Sequence, residues 1–72
     1  MAQKLAERPE IVEFVRVVKE RRKALGLTQV ETARLAGCDA SFIGDLEKGK
    51  PTVQLGKVLD VLRVLGLRRT IL

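Results

Sequence analysis

The stretch from Gly26 to Gly49, GLTQVETARLAGCDASFIGDLEKG, leaves little freedom in how it folds. It carries a helix start, a stop, a second start and a second stop in close order. Thr28 followed three residues later by Glu31 is a capping box. The threonine hydroxyl accepts from the Glu31 N–H, and the glutamate reaches back to the Thr28 N–H. Leu27, just ahead, is placed to staple the entry. Gly37 is the expected left-handed stop, Asp39 is an N-cap for a second helix, and Gly49 ends that helix. The spacing predicts one helix over Gln29–Ala36 and another from Ala40 to about Lys48. The connection between them is about three residues.

The flanks add two more helices. Pro9 suits a first turn, where its missing N–H costs nothing. From there Ile11, Phe14, Val15, Val18, Arg22 and Leu25 recur at helical spacing up to Gly26. Lys19, Arg21, Arg22 and Lys23 fall in the last turns, against the negative end of the helix dipole. Lys50-Pro51 forces an extended or turned step. Thr52 is then an N-cap for a helix from about Val53 to Leu65, with Leu55, Val58, Leu59, Leu62 and Leu65 as its inner stripe. Gly66 closes it. Residues 1–8 are polar and expected to be flexible, residues 9–66 form the domain, and Thr70, Ile71 and Leu72 favour strand. The expected fold is all-α: a small four-helix domain with a short C-terminal β-strand over residues 67–72.

Composition narrows the chemistry. The chain has 72 residues, near the lower limit for a self-sufficient core, so association is a natural route to stability. The net charge of +5 favours an anionic partner such as nucleic acid. There is one cysteine and no histidine. That excludes an internal disulfide, a zinc constellation and a Ser-His or Cys-His pair. No catalytic arrangement, metal site or cofactor is expected. The N-terminus MAQKLAERPE has no apolar signal core and no run is long enough to span a bilayer, so the expected location is the cytoplasm.

Four marks in Gln29–Leu46 fit a helix-turn-helix: small Ala33 where the two helices approach, Gly37 in the turn, Ile43 and Leu46 facing inward, and the short connection. The alternative is an ordinary helical hairpin in a small bundle. The segment GLTQVETARLAGCDASFIGDLEKGK resembles the XRE/Cro/C1-type helix-turn-helix family of phage repressors and bacterial regulators, a lambda-repressor-like fold. The resemblance covers about Val18 to Leu67. It implies that the third helix lies in the major groove with Asp39, Ala40, Ser41, Gly44 and Asp45 facing base edges. It implies phosphate contact by Gln29 at the start of the second helix, beside Thr28. It also implies a structural ion pair between Arg22 and Glu47. Arg22 falls on the apolar stripe of the first helix, where an unpaired charge is costly. A paired Arg22 still leaves one guanidinium edge for a phosphate. Lys23, Arg34, Lys48 and Lys50 complete the expected phosphate set, each with a merely solvated charge as the alternative.

The C-terminal third, LEKGKPTVQLGKVLDVLRVLGLRRTIL, resembles HipB-type antitoxins, the DNA-binding partners of HipA-type kinase toxins. That resemblance implies a homodimer whose terminal strands pair across a twofold axis. The expected dimer residues are Val61, Val64, Leu65, Leu67, Thr70, Ile71 and Leu72, with simple core filling as the alternative for the first three. The implied function is a DNA-binding repressor of its own operon, acting on double-stranded palindromic DNA and binding a kinase toxin. A stand-alone regulator and a protein-interaction module of the same fold remain alternatives. Cys38 reads as a small buried apolar residue.

Overall fold

The computed structural model describes residues 7–50 and 54–67. These form four helices: α1 (Pro9–Ala24), α2 (Gln29–Ala36), α3 (Ala40–Glu47) and α4 (Leu55–Val64). The capping box is formed in full. The Thr28 hydroxyl accepts from Glu31 N–H at 3.0 Å, and the Glu31 carboxylate accepts from Thr28 N–H at 2.9 Å. α2 therefore has the bounds its punctuation predicts, and α1 and α3 end one residue early, because Leu25 and Lys48 are C-caps. α4 begins at Leu55 behind Gln54. The predicted cap Thr52 and first residue Val53 lie outside the described residues.

Each helix ends in the same way. The glycine after it has a φ between 71° and 73°. The next N–H reaches back to a carbonyl inside the last turn: Leu27 to Arg22, Cys38 to Ala33, Lys50 to Asp45 and Leu67 to Leu62. This is the Schellman motif, and it satisfies carbonyls that the helix leaves free.

The helices enclose one core. α2 packs on α3 and α4, and α1 packs on α3. Val18, Ile43, Val61, Leu62 and Leu65 are almost completely buried, each stabilising the fold by about 1.5–3 kcal/mol. Thr32 is buried with them, its hydroxyl donating to Thr28 O at 2.9 Å.

The core corrects the reading of α4. Its inner stripe is Val58, Val61, Leu62 and Leu65, whereas Leu55 is 73% exposed and Leu59 only half-buried. The helix carries two overlapping apolar series at i, i+3, i+4 spacing, and its packing on α2 selects the one containing Val61. Val61 and Leu65, expected at a dimer face, are thus core residues of the protomer, and Val64 is half-buried against that core. Leu67 is buried too, and its N–H is tied to Leu62. No strand occurs among the described residues, and Thr70, Ile71 and Leu72 lie outside them. On α1, Leu25 is 44% exposed, since it stands past the helix end and turns away from the core.

Two glycines give opposite expectations. Gly37 holds a φ of 73°, where a Cβ crowds the backbone. Gly44 is inside α3, and a Cβ there meets only the Gln29 amide, at 3.7 Å. Gly37→Ala is expected to destabilise by about 1–2 kcal/mol, and Gly44→Ala to stabilise by about 1 kcal/mol, in urea unfolding monitored by circular dichroism.

Candidate nucleic-acid interface

The face that leaves the fold most plainly is the outer side of α3. Ser41, Gly44, Asp45 and Lys48 stand at i, i+3, i+4 and i+7, one strip of a helix. Ser41 and Lys48 are exposed, and Gly44 and Asp45 half-buried. Ala40 belongs less to this strip than expected: it is half-buried and packs on the core. Phe42, Ile43 and Leu46 point inward.

Asp39 has the extended backbone of an N-cap, φ −85° and ψ 150°, but its side chain makes no capping bond. The expected cap is formed by conformation alone. The exposed carboxylate at the head of α3 therefore stays free to accept from another donor. Asp45 is not free in the same way. Its carboxylate lies 3.4 Å from the Lys50 ammonium. Both side chains are about half exposed, so the pair is worth little and exchanges readily for another partner.

Behind this face lies the charged frame. Arg22 Nε donates to Glu47 at 2.6 Å and Arg22 Nη2 donates to the other Glu47 oxygen at 3.1 Å. Arg22 Nη1 donates to Leu27 O at 2.8 Å. The two side chains are 9% and 4% exposed. So the ion pair expected from the stripe position of Arg22 is made, in bidentate form. Burial pushes the Glu47 carboxyl up, but hydrogen bonds from Arg22 and Gln29 and the charges of Arg22 and Lys19 outweigh it, leaving a lowered pKa. The Arg22 guanidinium is correspondingly held protonated by Glu47. Arg22 thus serves the frame, and its burial withdraws it from the expected phosphate set.

Gln29 has a role the sequence did not disclose. Its Nε2 donates to Glu47 at 3.1 Å, so the residue at the head of α2 is braced against α3. One amide N–H stays available to a phosphate. Thr28 likewise uses its hydroxyl oxygen in the cap and keeps its proton to donate. Lys23, Arg34, Lys48 and Lys50 are all exposed.

Another contact missed from sequence is Arg21, whose Nε donates to Leu65 O at 2.9 Å, 44 residues away. The arginine placed for the dipole of its own helix satisfies the carboxyl end of α4 instead. Only the tertiary arrangement reveals that partner. Cys38 is half-buried and its thiol is pushed up mainly by burial, against a smaller lowering by Lys57. That suits an inert packing residue.

A braced pair of short helices joined by Gly37-Cys38-Asp39, with an outward polar strip on the second, is a helix-turn-helix in geometry. Residues 13–70 match the family model described as a helix-turn-helix domain. The chain belongs to the helix-turn-helix family. It is also 48% identical over 66 residues to the uncharacterized HTH-type transcriptional regulator y4mF of Sinorhizobium fredii, across 92% of this chain and 83% of that protein. Membership of this helix-turn-helix family makes DNA binding in transcriptional regulation, rather than catalysis, the general function of the chain. No described helix is long and apolar enough to cross a membrane.

The frame yields two expectations. Arg22→Ala leaves Glu47 buried and unpaired, and is expected to cost about 3–5 kcal/mol in urea unfolding. Lys23→Ala, at an exposed site, is expected to stay within about 0.5 kcal/mol of the parent; equal losses in the two variants would refute the frame. The pH dependence comes from the lowered Glu47 pKa. Its contribution is fully present above the ordinary carboxylate pKa of about 4.3. It disappears as pH falls through the folded-state value, where the unfolded chain binds the proton more readily. Acid titration of Glu47→Gln is expected to show a shallower stability loss over that window than the parent.

Proposed function

We propose that this chain is a sequence-specific repressor that binds double-stranded, palindromic DNA as a homodimer. The observation that carries the reading is the braced α3, whose outer strip has Ser41 and Lys48 exposed and Gly44 and Asp45 half-buried, while its inner side is locked to α1 and α2. Asp39 and Ser41 are the base-reading candidates. A free Asp39 carboxylate is an acceptor for cytosine N4, and Ser41 donates or accepts with several bases. Ala40 offers a methyl at the edge of the same surface, and Gly44 permits close approach. Gln29, Thr28, Lys23, Arg34, Lys48 and Lys50 supply phosphate contacts, together with the backbone N–H groups at the heads of α2 and α3.

Such a reading face is poor in bidentate donors. Specificity in this proposal therefore rests on DNA shape and on half-site spacing as well as base contacts. A narrower role is an antitoxin that represses its own operon and binds a HipA-like kinase toxin away from the DNA face. Its support is the resemblance of residues 46–72 to HipB-type antitoxins.

Selection of bound sequences from a random duplex pool, followed by gel shifts, tests the reading. With about four phosphates neutralised per protomer, the log–log salt slope of the dimer is expected to be roughly −7. A five-base-pair insertion between half-sites is expected to abolish tight binding, because it turns one half-site to the opposite side of the duplex. Enrichment of no sequence, or indifference to the insertion, would reject the repressor reading and favour a protein-interaction module.

A further inference from the structure

The outer side of α4 has the composition of a self-complementary contact. Leu55 is 73% exposed and Leu59 is half-buried. These two lie one turn apart on one flank of the exposed side. Gly56 and Arg63 run along its middle, and nothing lies within 4 Å of a Cβ built at Gly56. Asp60 and Lys57, of opposite charge, lie on the other flank. Gln54, Gly56, Lys57, Leu59, Asp60 and Arg63 line one open groove. Lys57, Asp60 and Arg63 form no ion pair with any described residue.

We infer that a second copy of this chain covers this surface, with the two α4 helices antiparallel about a twofold axis. In an antiparallel pair related by such an axis, each flank meets its own counterpart. The apolar flank then meets an apolar flank and the charged flank a charged one. The charges set the register. The row Lys57, Asp60, Arg63 reads plus, minus, plus. Centring the contact on Asp60 juxtaposes like charges. A shift of half a turn puts Lys57 of each copy opposite Asp60 of the second copy, twice by symmetry. The same shift brings Leu59 beside Leu59 of the second copy, and Arg63 opposite the uncharged Gln54 of the second copy. Gly56 sits along the line of closest approach, where the absence of a side chain lets two helix backbones come near. One register satisfies the charges, the leucines and the glycine together.

This inference rests on the reading of the protein as a twofold DNA-binding dimer and gives that dimer a surface. It replaces the stripe of Val61 and Leu65, which the protomer core has already buried.

Sedimentation equilibrium on the full chain tests it, with circular dichroism confirming that each variant is helical. All the substituted positions are at least partly exposed. Lys57→Glu and Asp60→Lys are each expected to weaken self-association by about tenfold, since each loses two cross-pairs and creates two repulsions. The double variant Lys57→Glu/Asp60→Lys restores the pairs in reverse and is expected to return to within about threefold of the parent. Leu55→Glu is expected to weaken association by about tenfold or more. A parent that stays monomeric at high concentration, or single reversals that leave association unchanged, would overturn the inference. So would a double variant no better than the singles. Duplex binding is measured on the same samples. Association that tracks the charge swap without any DNA binding rejects the repressor reading and leaves this surface standing. Specific DNA binding that is indifferent to the swap rejects this surface alone.

Discussion

The buried pair between Arg22 and Glu47 is the interaction on which the rest of the arrangement depends. α1 contributes the arginine, α3 the carboxylate, α2 the Gln29 amide, and the α1–α2 turn the Leu27 carbonyl. Four parts of the chain meet at two charges. A pair so far from water gains little net stability over an apolar equivalent, because desolvation cancels much of the attraction. Its contribution is geometry. A bidentate fork accepts the carboxylate in one plane, so the roll and depth of α3 relative to α1 are fixed. A purely apolar contact between Val18 and Ile43 tolerates more sliding.

How far the sequence foretold this depends on the range of each signal. The bounds of α2 come from Thr28, Glu31 and Gly37, all of which act over a few residues. The Arg22–Glu47 pair was legible because a charge on an apolar stripe demands a partner, and the family resemblance pointed to which one. α4 was less legible. Leu55, Leu59 and Val61 compete for the inside, and only the position of α2 decides among them. The partners of Gln29 and Arg21 depend on how distant segments are brought together, and no local pattern encodes that. Asp39 shows a different limit: the backbone of an N-cap was foreseeable, but the side-chain bond normally inferred with it is not made.

The division of labour within α3 explains its unusual composition. Eight residues must hold the frame through Ile43, Leu46 and Glu47, and still present a surface. Small residues at 40, 41 and 44 leave that surface low and flat. Positive charge is displaced from the helix to its margins, at Lys48 and Lys50 beyond its last turn and Arg34 on the neighbouring helix. On the proposed repressor reading, a flat helix between basic margins is held by the phosphates on either side more than by the base edges beneath it.

The four helix endings share one backbone motif and differ in the side chains that close it. At α4 the closing pair is Leu62 with Leu67, and at α2 it is Ala33 with Cys38, both drawn from the core or its edge. At α1 the Leu27 carbonyl is gripped by the buried Arg22. At α3 alone the closing pair is Asp45 with Lys50, two half-exposed charges. Dissolved ions screen the charges of that half-exposed clasp. Among the described helix ends, the exit of α3 is therefore the one clasped by an exposed ion pair, which dissolved salt weakens.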